Sequence, residues 1–349
     1  MVNITKKKQY YPISKGLRQY LKSYHRTLKL PIKYEDLLRF SDSFPHYDKK
    51  GKDTLWETVM YDNYMQDELR EGLTQIYALL KTDGDMSVME HLYISRIDHC
   101  TFGNSQPFRI QVMNQLNDNY EYYYIKRADA SRVYGLELEH ILSPSRINYL
   151  VFDETLIEEH IAGIPGDVFM NEYLNRPLSN QVRIAKEFVK FNERCFIRLL
   201  GDMRSYNYVI DITPDFEDEQ YRVRAIDFDQ QSYEGHKSMY FPKYFKDNNK
   251  VINLVLSLLD PKTMEQYQSE ERTLLFRRLK TARYRLKDLI DCMRCDTIST
   301  PEKVEMLKQE LAKHHKSDEF LKCKSMGDLV RLNLKTVLTR EPKIKAGKV

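Results

Sequence analysis

The sequence predicts an α+β protein: a helical N-terminal extension, a small, mostly β lobe and a larger, mostly helical lobe. Three observations carry this. Apolar residues recur at spacings of three and four over residues 54–81. From about residue 90 the pattern shifts to short runs rich in β-branched and aromatic residues, punctuated by turn residues. Beyond about residue 180 the helical period returns and, apart from two short strands, persists to the end. The expected domains are therefore residues 1–87, 88–163 and 164–349.

In the extension, LPIKYEDLLRF reads as a short helix and HYDKKGKD as a loop. The following stretch, 54–81, places Leu55, Val59, Met60, Met65, Leu69, Leu73, Ile76, Tyr77 and Leu80 on one helical stripe. Such a stripe would cap the next lobe or form an oligomer surface. Strands are expected near 91–100, 107–115 and 120–127 as an antiparallel meander, because TFGNSQP and NQLNDN between them are turn sequences. A helix over 130–143, stopped by Pro144, and the strands INYLVF and TLIEEHI complete the lobe. Then come a long amphipathic helix ending near Leu200, the strands NYVIDI and YRVRAIDF around an acidic loop, and a run of helices from about residue 246.

Composition narrows the function classes. Of 349 residues, 42% are hydrophobic and 30% charged, which is globular composition and excludes a wholly disordered chain. Lys and Arg number 55 against 51 Asp and Glu, a net +4 that argues against nucleic acid as the partner. The five cysteines are scattered and odd in number, as free thiols in a reducing compartment would be. No apolar core follows the N-terminal charges, and the longest greasy run, 251–259, is too short for a bilayer. A cytoplasmic location is expected.

The chemically informative stretch is GDMRSYNYVID, followed about 20 residues on by AIDFD. Asp202 precedes Asn207 by five, in a loop between a helix and a strand, and Asp227 ends the next strand. If the two strands pair, Asn207 and Asp227 meet at one mouth. A hard divalent cation wants such oxygen ligands, with phosphates and water completing its shell. Asp227 would be the principal ligand and Asn207 its amide neighbour, leaving Asp202 to accept a proton from a hydroxyl nucleophile.

These residues resemble the catalytic loop and metal-binding strand of the protein-kinase-like superfamily. The wording LGDMRSYN…IDFD is closest to the small-molecule branch of aminoglycoside and choline phosphotransferases. The resemblance spans about residues 90–260 and implies a two-lobed protein-kinase-like fold. It implies ATP and Mg²⁺ as cofactors and transfer of the γ-phosphoryl group to a hydroxyl. Leu200 and Arg204 stand where the branch commonly has histidines, and Arg204 would reach a phosphate or an acidic substrate. Lys126 in EYYYIK is the implied phosphate-binding lysine, sharing a strand face with Tyr122 and Tyr124. Its carboxylate partner would come from the following helix, Glu139 before Glu137, since two residues apart cannot both face inward. Residues 99–106 would be the phosphate loop, with one glycine and Ser105 in its service. Residues 157–161, including Glu158 and His160, would be the hinge whose backbone meets the base.

No A-P-E signature follows Asp229, which favours a small hydroxylated acceptor over a protein. A protein kinase and a non-catalytic kinase-like nucleotide- or partner-binding module are the alternatives. Cys292 and Cys295 form a lone CxxC within a helix and read as structural. Seven basic residues between Arg272 and Lys287 read as a solvated face, with anion binding the competing account.

Overall fold

The structure is a computed structural model describing residues 8–339, apart from 49, 102, 178 and 217. The described residues fall into two compact units, one within Met1–Ala130 and Ile147–His160, the other within Ser131–Arg146 and Ile161–Val349.

The first unit opens with α1 (Lys15–Ser23), whose first turn is capped by Ser14 Oγ accepting the Leu17 N–H, and with the single turn α2 (Tyr34–Leu37). Strands β1 (Asp42–Tyr47) and β2 (Asp53–Met60) follow, then helix α3 (Asn63–Lys81) and strands β3 (Leu92–His99), β4 (Phe108–Asn114) and β5 (Tyr120–Arg127). After helix α4 (Ala130–Leu142), strands β6 (Tyr149–Phe152) and β7 (Thr155–Glu159) return to the same sheet. All seven strands pair antiparallel in the order β1-β2-β3-β4-β5-β7-β6.

Alternation divides that sheet into two faces. Phe108, Ile110, Val112, Tyr123 and Ile125 are buried with Leu69, Leu73 and Ile76 of α3 in one core, and Tyr123 donates its hydroxyl to the Leu73 carbonyl at 2.8 Å. Lys126, Tyr124 and Tyr122 lie on the alternate positions of β5; the Lys126 ammonium is 5.3 Å from the Tyr124 ring centre.

Residues 1–87 are not a separate helical extension. Residues 53–60 form β2, paired with β1 on one side and with β3 at Glu57–His99 and Thr58–Asp98 on the other. The expected helix over 54–81 begins only at Asn63. The spacing of Leu55 and Val59 misleads because four residues are two strand periods as well as one helical turn. The β-branched and aromatic side chains of TLWETV settle it as strand. The α3 stripe is buried within the first unit's own core rather than left as an outer surface.

The second unit takes α4 from Ser131 onward, although the expected boundaries put this helix in the β lobe. Every residue from Ser131 to Glu139 is buried, so α4 has no solvent face over that stretch. Strand β8 (Ile164–Pro165) leads into α5 (Gly166–Val168), which continues as a π-helical turn over Phe169–Tyr173. The long helix α6 (Gln181–Arg198) ends on Leu199 in the left-handed conformation. Strands β9 (Tyr208–Pro214) and β10 (Glu219–Ala225) form a hairpin, with β8 pairing on β9. Helices α7 (Asn249–Leu258), α8 (Pro261–Thr281), α9 (Arg283–Cys295), α10 (Pro301–His315) and α11 (Met326–Thr339) complete the unit. No helix among the described residues is long and apolar enough to cross a membrane.

Candidate active site

The β9/β10 hairpin sets the geometry. Its register pairs Tyr208 with Ala225, and one step further the Ile226 N–H donates to the Asn207 carbonyl at 3.0 Å. Asn207 and Asp227 thus flank the same end of the hairpin, as the sequence spacing requires. The preceding loop folds onto this end. Asn207 Nδ2 donates to the Asp202 carbonyl at 2.7 Å, the Arg204 N–H to the same oxygen at 2.8 Å, and the Asn207 N–H to the Arg204 carbonyl at 2.9 Å. Asp202 itself has φ +57°, left-handed backbone that aspartate tolerates better than most residues.

Backbone and amide contacts brace the loop around Leu200. Leu200 is buried and forms a β-bridge with Gln231, and the Gly201 N–H donates to the Gln230 carbonyl at 3.2 Å. Gln231 Nε2 caps the end of α6 through the Arg198 carbonyl at 2.6 Å. Asn248, wholly buried, donates to the carbonyls of Met203 and Pro242 while accepting from the Tyr208 hydroxyl at 2.8 Å. These residues carry no motif, and nothing in the sequence signals their role.

Each acidic candidate has a cation beside it. Arg204 Nε lies 3.0 Å from Asp202 Oδ1, and its Nη1 reaches Asp247 at 3.4 Å. Burial pushes the Asp202 carboxyl above its ordinary range, Arg204 pulls it back, and the charge of Asp227 pushes it further up. Arg132 of α4, 2% exposed, donates through Nη1 to Asp227 Oδ1 at 2.8 Å and to Asp229 Oδ1 at 2.9 Å. Asp227 Oδ1 also accepts the Asp229 N–H at 3.0 Å.

The two helix carboxylates proposed for Lys126 are both buried, contrary to the expectation that only one could turn inward. Glu137 takes a two-pronged bond from Arg285 of α9, 2.8 to 3.0 Å, and Glu139 is bonded by Arg198 of α6. A helix buried all round can hold acids on two faces when each face supplies a guanidinium. In the first unit, the carboxylate on Lys126 is Glu158 of β7, at 2.7 Å with both side chains buried. The Glu158 side chain, not only its backbone, is therefore engaged. His160 meets the Tyr124 hydroxyl through Nδ1 at 3.1 Å. Ser105 lies in a tight turn where the Gln106 N–H donates to the Gly103 carbonyl and Gln106 O accepts the Tyr34 hydroxyl at 3.0 Å. Phe102 of that loop and Glu217 of the acidic β9/β10 loop lie outside the described residues.

A hard cation is compatible with this donor set. Asp227, Asp229 and Asn207 carry side-chain oxygens on nearby backbone, Asn207 Nδ2 is engaged by the loop, and the carboxylate pair binds one positive group, the Arg132 guanidinium. Among the described residues no group of three or more His, Cys, Asp or Glu side chains is disposed to hold a metal, Cys292 and Cys295 included.

No protein-family profile matches the sequence, and no curated protein matches it. The solved structures found in the fold comparison include the autoinhibited serine kinase domain of the giant muscle protein titin. It is 12% identical over 70% of this chain and 93% of that one, with a TM-score of 0.26. A second is titin kinase with its flanking domains, 13% identical over 71% of this chain, with a TM-score of 0.27. The matched region spans 55% of that longer chain.

Proposed function

We propose that the protein is a kinase-like phosphotransferase that moves the γ-phosphoryl group of ATP to a hydroxyl of a small molecule. The observation that carries the proposal is the hairpin end, where Asn207 and Asp227 lie side by side and Asp202 is bonded to Asn207. Asp202 takes the proton of the acceptor hydroxyl as its oxygen bonds to phosphorus and the bond to the leaving ADP breaks. Its upward-shifted carboxyl suits a base better than a free aspartate would. Asn207 fixes the loop that carries Asp202, and Arg204 orients the carboxylate and offers a cation to the incoming anion. Asp227 and Asn207 would hold Mg²⁺, which when bound neutralises phosphate charge. Lys126, held by Glu158, is the proposed phosphate ligand of the first unit. No A-P-E signature follows Asp229 in the sequence, which supports the small-molecule over the protein acceptor.

A second reading rests on the guanidinium groups. Arg132 on Asp227 and Arg204 on Asp202 leave both key carboxylates neutralised, as a non-catalytic nucleotide- or partner-binding module would tolerate. Titration calorimetry with ATP, with and without Mg²⁺, on wild type and Asp227→Ala separates them when joined to an acceptor-dependent ADP-formation assay. Magnesium-dependent binding lost in the variant, with turnover on a panel of hydroxylated metabolites, supports the enzyme. ATP binding without turnover supports a nucleotide-binding module, and no ATP binding at all defeats the enzyme and the nucleotide-binding module alike.

A further inference from the structure

One face of helix α11 lines a cavity of about 540 Å³ through Asp328, Arg331 and Lys335, spaced three and four residues apart. The segment between α10 and α11 adds Glu319, Lys322 and Lys324, and the last turn of α9 adds Arg294. Five cations thus surround one concavity with two acids. Asp328 is already committed: its Oδ1 accepts from Arg294 Nε at 2.6 Å and its Oδ2 from the Lys324 backbone N–H at 3.1 Å. Arg294 also meets Asp291 at 3.6 Å. Among the described residues, Lys322, Lys324 and Arg331 enter no ion pair.

Arg331 and Lys335 are like charges one turn apart, which weakens a helix rather than supporting it. Neighbouring α9 shows the usual alternative, with Lys287 four residues from Asp291 and 2.9 Å away. Low-dielectric walls around a concavity focus a potential of one sign and draw in counter-charge. The volume falls within the roughly 300–1,000 Å³ of small-molecule sites, and a charged lining selects a charged ligand. The lining has three positive charges in excess, more than one phosphate group of about −1.5 to −2 would balance. A guanidinium can fork two oxygens of one phosphate while ammonium groups supply point charges to the next. A small concavity also suits a compact polyanion better than an extended acidic chain.

We propose that the cavity lined by Arg331, Lys335, Lys322 and Lys324 binds a small molecule carrying two or more phosphate groups. Its lining includes none of Asp202, Asn207 and Asp227, and the proposal does not depend on the function proposed for them.

The test is titration calorimetry on the full chain, free of divalent metal and at constant ionic strength, with inorganic tripolyphosphate as the probe. Orthophosphate and a glutamate decapeptide are titrated beside it. Wild type should bind tripolyphosphate saturably and more tightly than either comparison ligand. Arg331→Gln and Lys322→Gln, both at exposed positions, should each melt as wild type does and weaken that binding about tenfold or more. Lys262→Gln, the same loss of charge at an exposed position of α8 outside the cavity, should leave the affinity unchanged. No saturable binding in wild type overturns the proposal, as does equal affinity in the two cavity variants or an equal loss in Lys262→Gln. Orthophosphate binding as tightly as tripolyphosphate would overturn the need for several phosphate groups. Tighter binding of the decapeptide would overturn the ligand class in favour of an acidic protein partner.

Discussion

Arg132 Nη1 and Asp227 Oδ1 are 2.8 Å apart, so the carboxylate proposed as metal ligand is held by a guanidinium that is itself 2% exposed. The same nitrogen serves Asp229 at 2.9 Å, which makes Arg132 a cation shared by two acids. Arginine stays protonated at any working pH, so the contact persists until another cation competes for the carboxylates.

Competition between Arg132 and a divalent ion follows from this. Arg132→Gln should bind Mn²⁺ more tightly than wild type in an electron-paramagnetic-resonance titration, because Asp227 loses its internal counter-ion. The same change should lower unfolding free energy by about 3 kcal/mol, since Asp229, buried 2.9 Å from Arg132, loses that counter-charge. Equal metal affinity in both proteins would mean that Arg132 and metal do not share Asp227.

The protonation of Asp202 should be visible in the rate. Its carboxyl is shifted up, so the base form, and with it kcat/KM, should fall away on the acid side at a pH above the ordinary aspartate value of about 3.9. Arg204 favours the ionised form, and therefore Arg204→Met should move that acid limb to higher pH. Asp202→Asn should abolish turnover while ATP binding survives. An acid limb that stays in place without Arg204 would show that Asp202 does not govern it.

How much of this was legible in the sequence depends on distance along the chain. The meander, the β9/β10 hairpin and the Asp202–Asn207 spacing are local patterns, and alternation or turn residues report them directly. Arg132 lies 95 residues from Asp227, and Arg285 lies 148 from Glu137; no periodicity links such partners. That is why both α4 acids could be buried when spacing alone allowed one. Asn248 and Gln231 are hidden for a related reason, because they act on backbone carbonyls and single polar residues carry no pattern. Strand β2 was missed differently: its spacing satisfies two periods, and only side-chain shape separates them.

Gly135 allows α4 to approach the IDFD segment. A Cβ built there would lie 2.9 Å from Phe228 Cβ and 3.1 Å from Gln231 Cβ, neither of which is the end of a flexible side chain. Gly135→Ala should therefore destabilise the protein by about 1–3 kcal/mol, as overpacking does, despite alanine's better helix propensity. It should also weaken ATP binding, because Phe228 sits between Asp227 and Asp229. Urea denaturation and calorimetry on the variant would report both effects, and a gain in stability would contradict the close approach.

Lys126 and Glu158 join β5 to β7 as a buried pair at 2.7 Å, on diagonal positions of two hydrogen-bonded strands, Glu158 lying opposite Tyr124 and Lys126 opposite Leu156. Two roles can be separated by experiment. A pair that serves structure alone is replaceable: Lys126→Met should cost about 3–5 kcal/mol by removing the ammonium 2.7 Å from the buried Glu158, and adding Glu158→Leu should restore much of the loss. A lysine that also binds phosphate is not replaceable, so the restored double variant should still bind ATP at least tenfold more weakly than wild type. Recovery of both stability and ATP affinity in the double variant would remove Lys126 from the nucleotide site and leave it as a packing residue of the sheet.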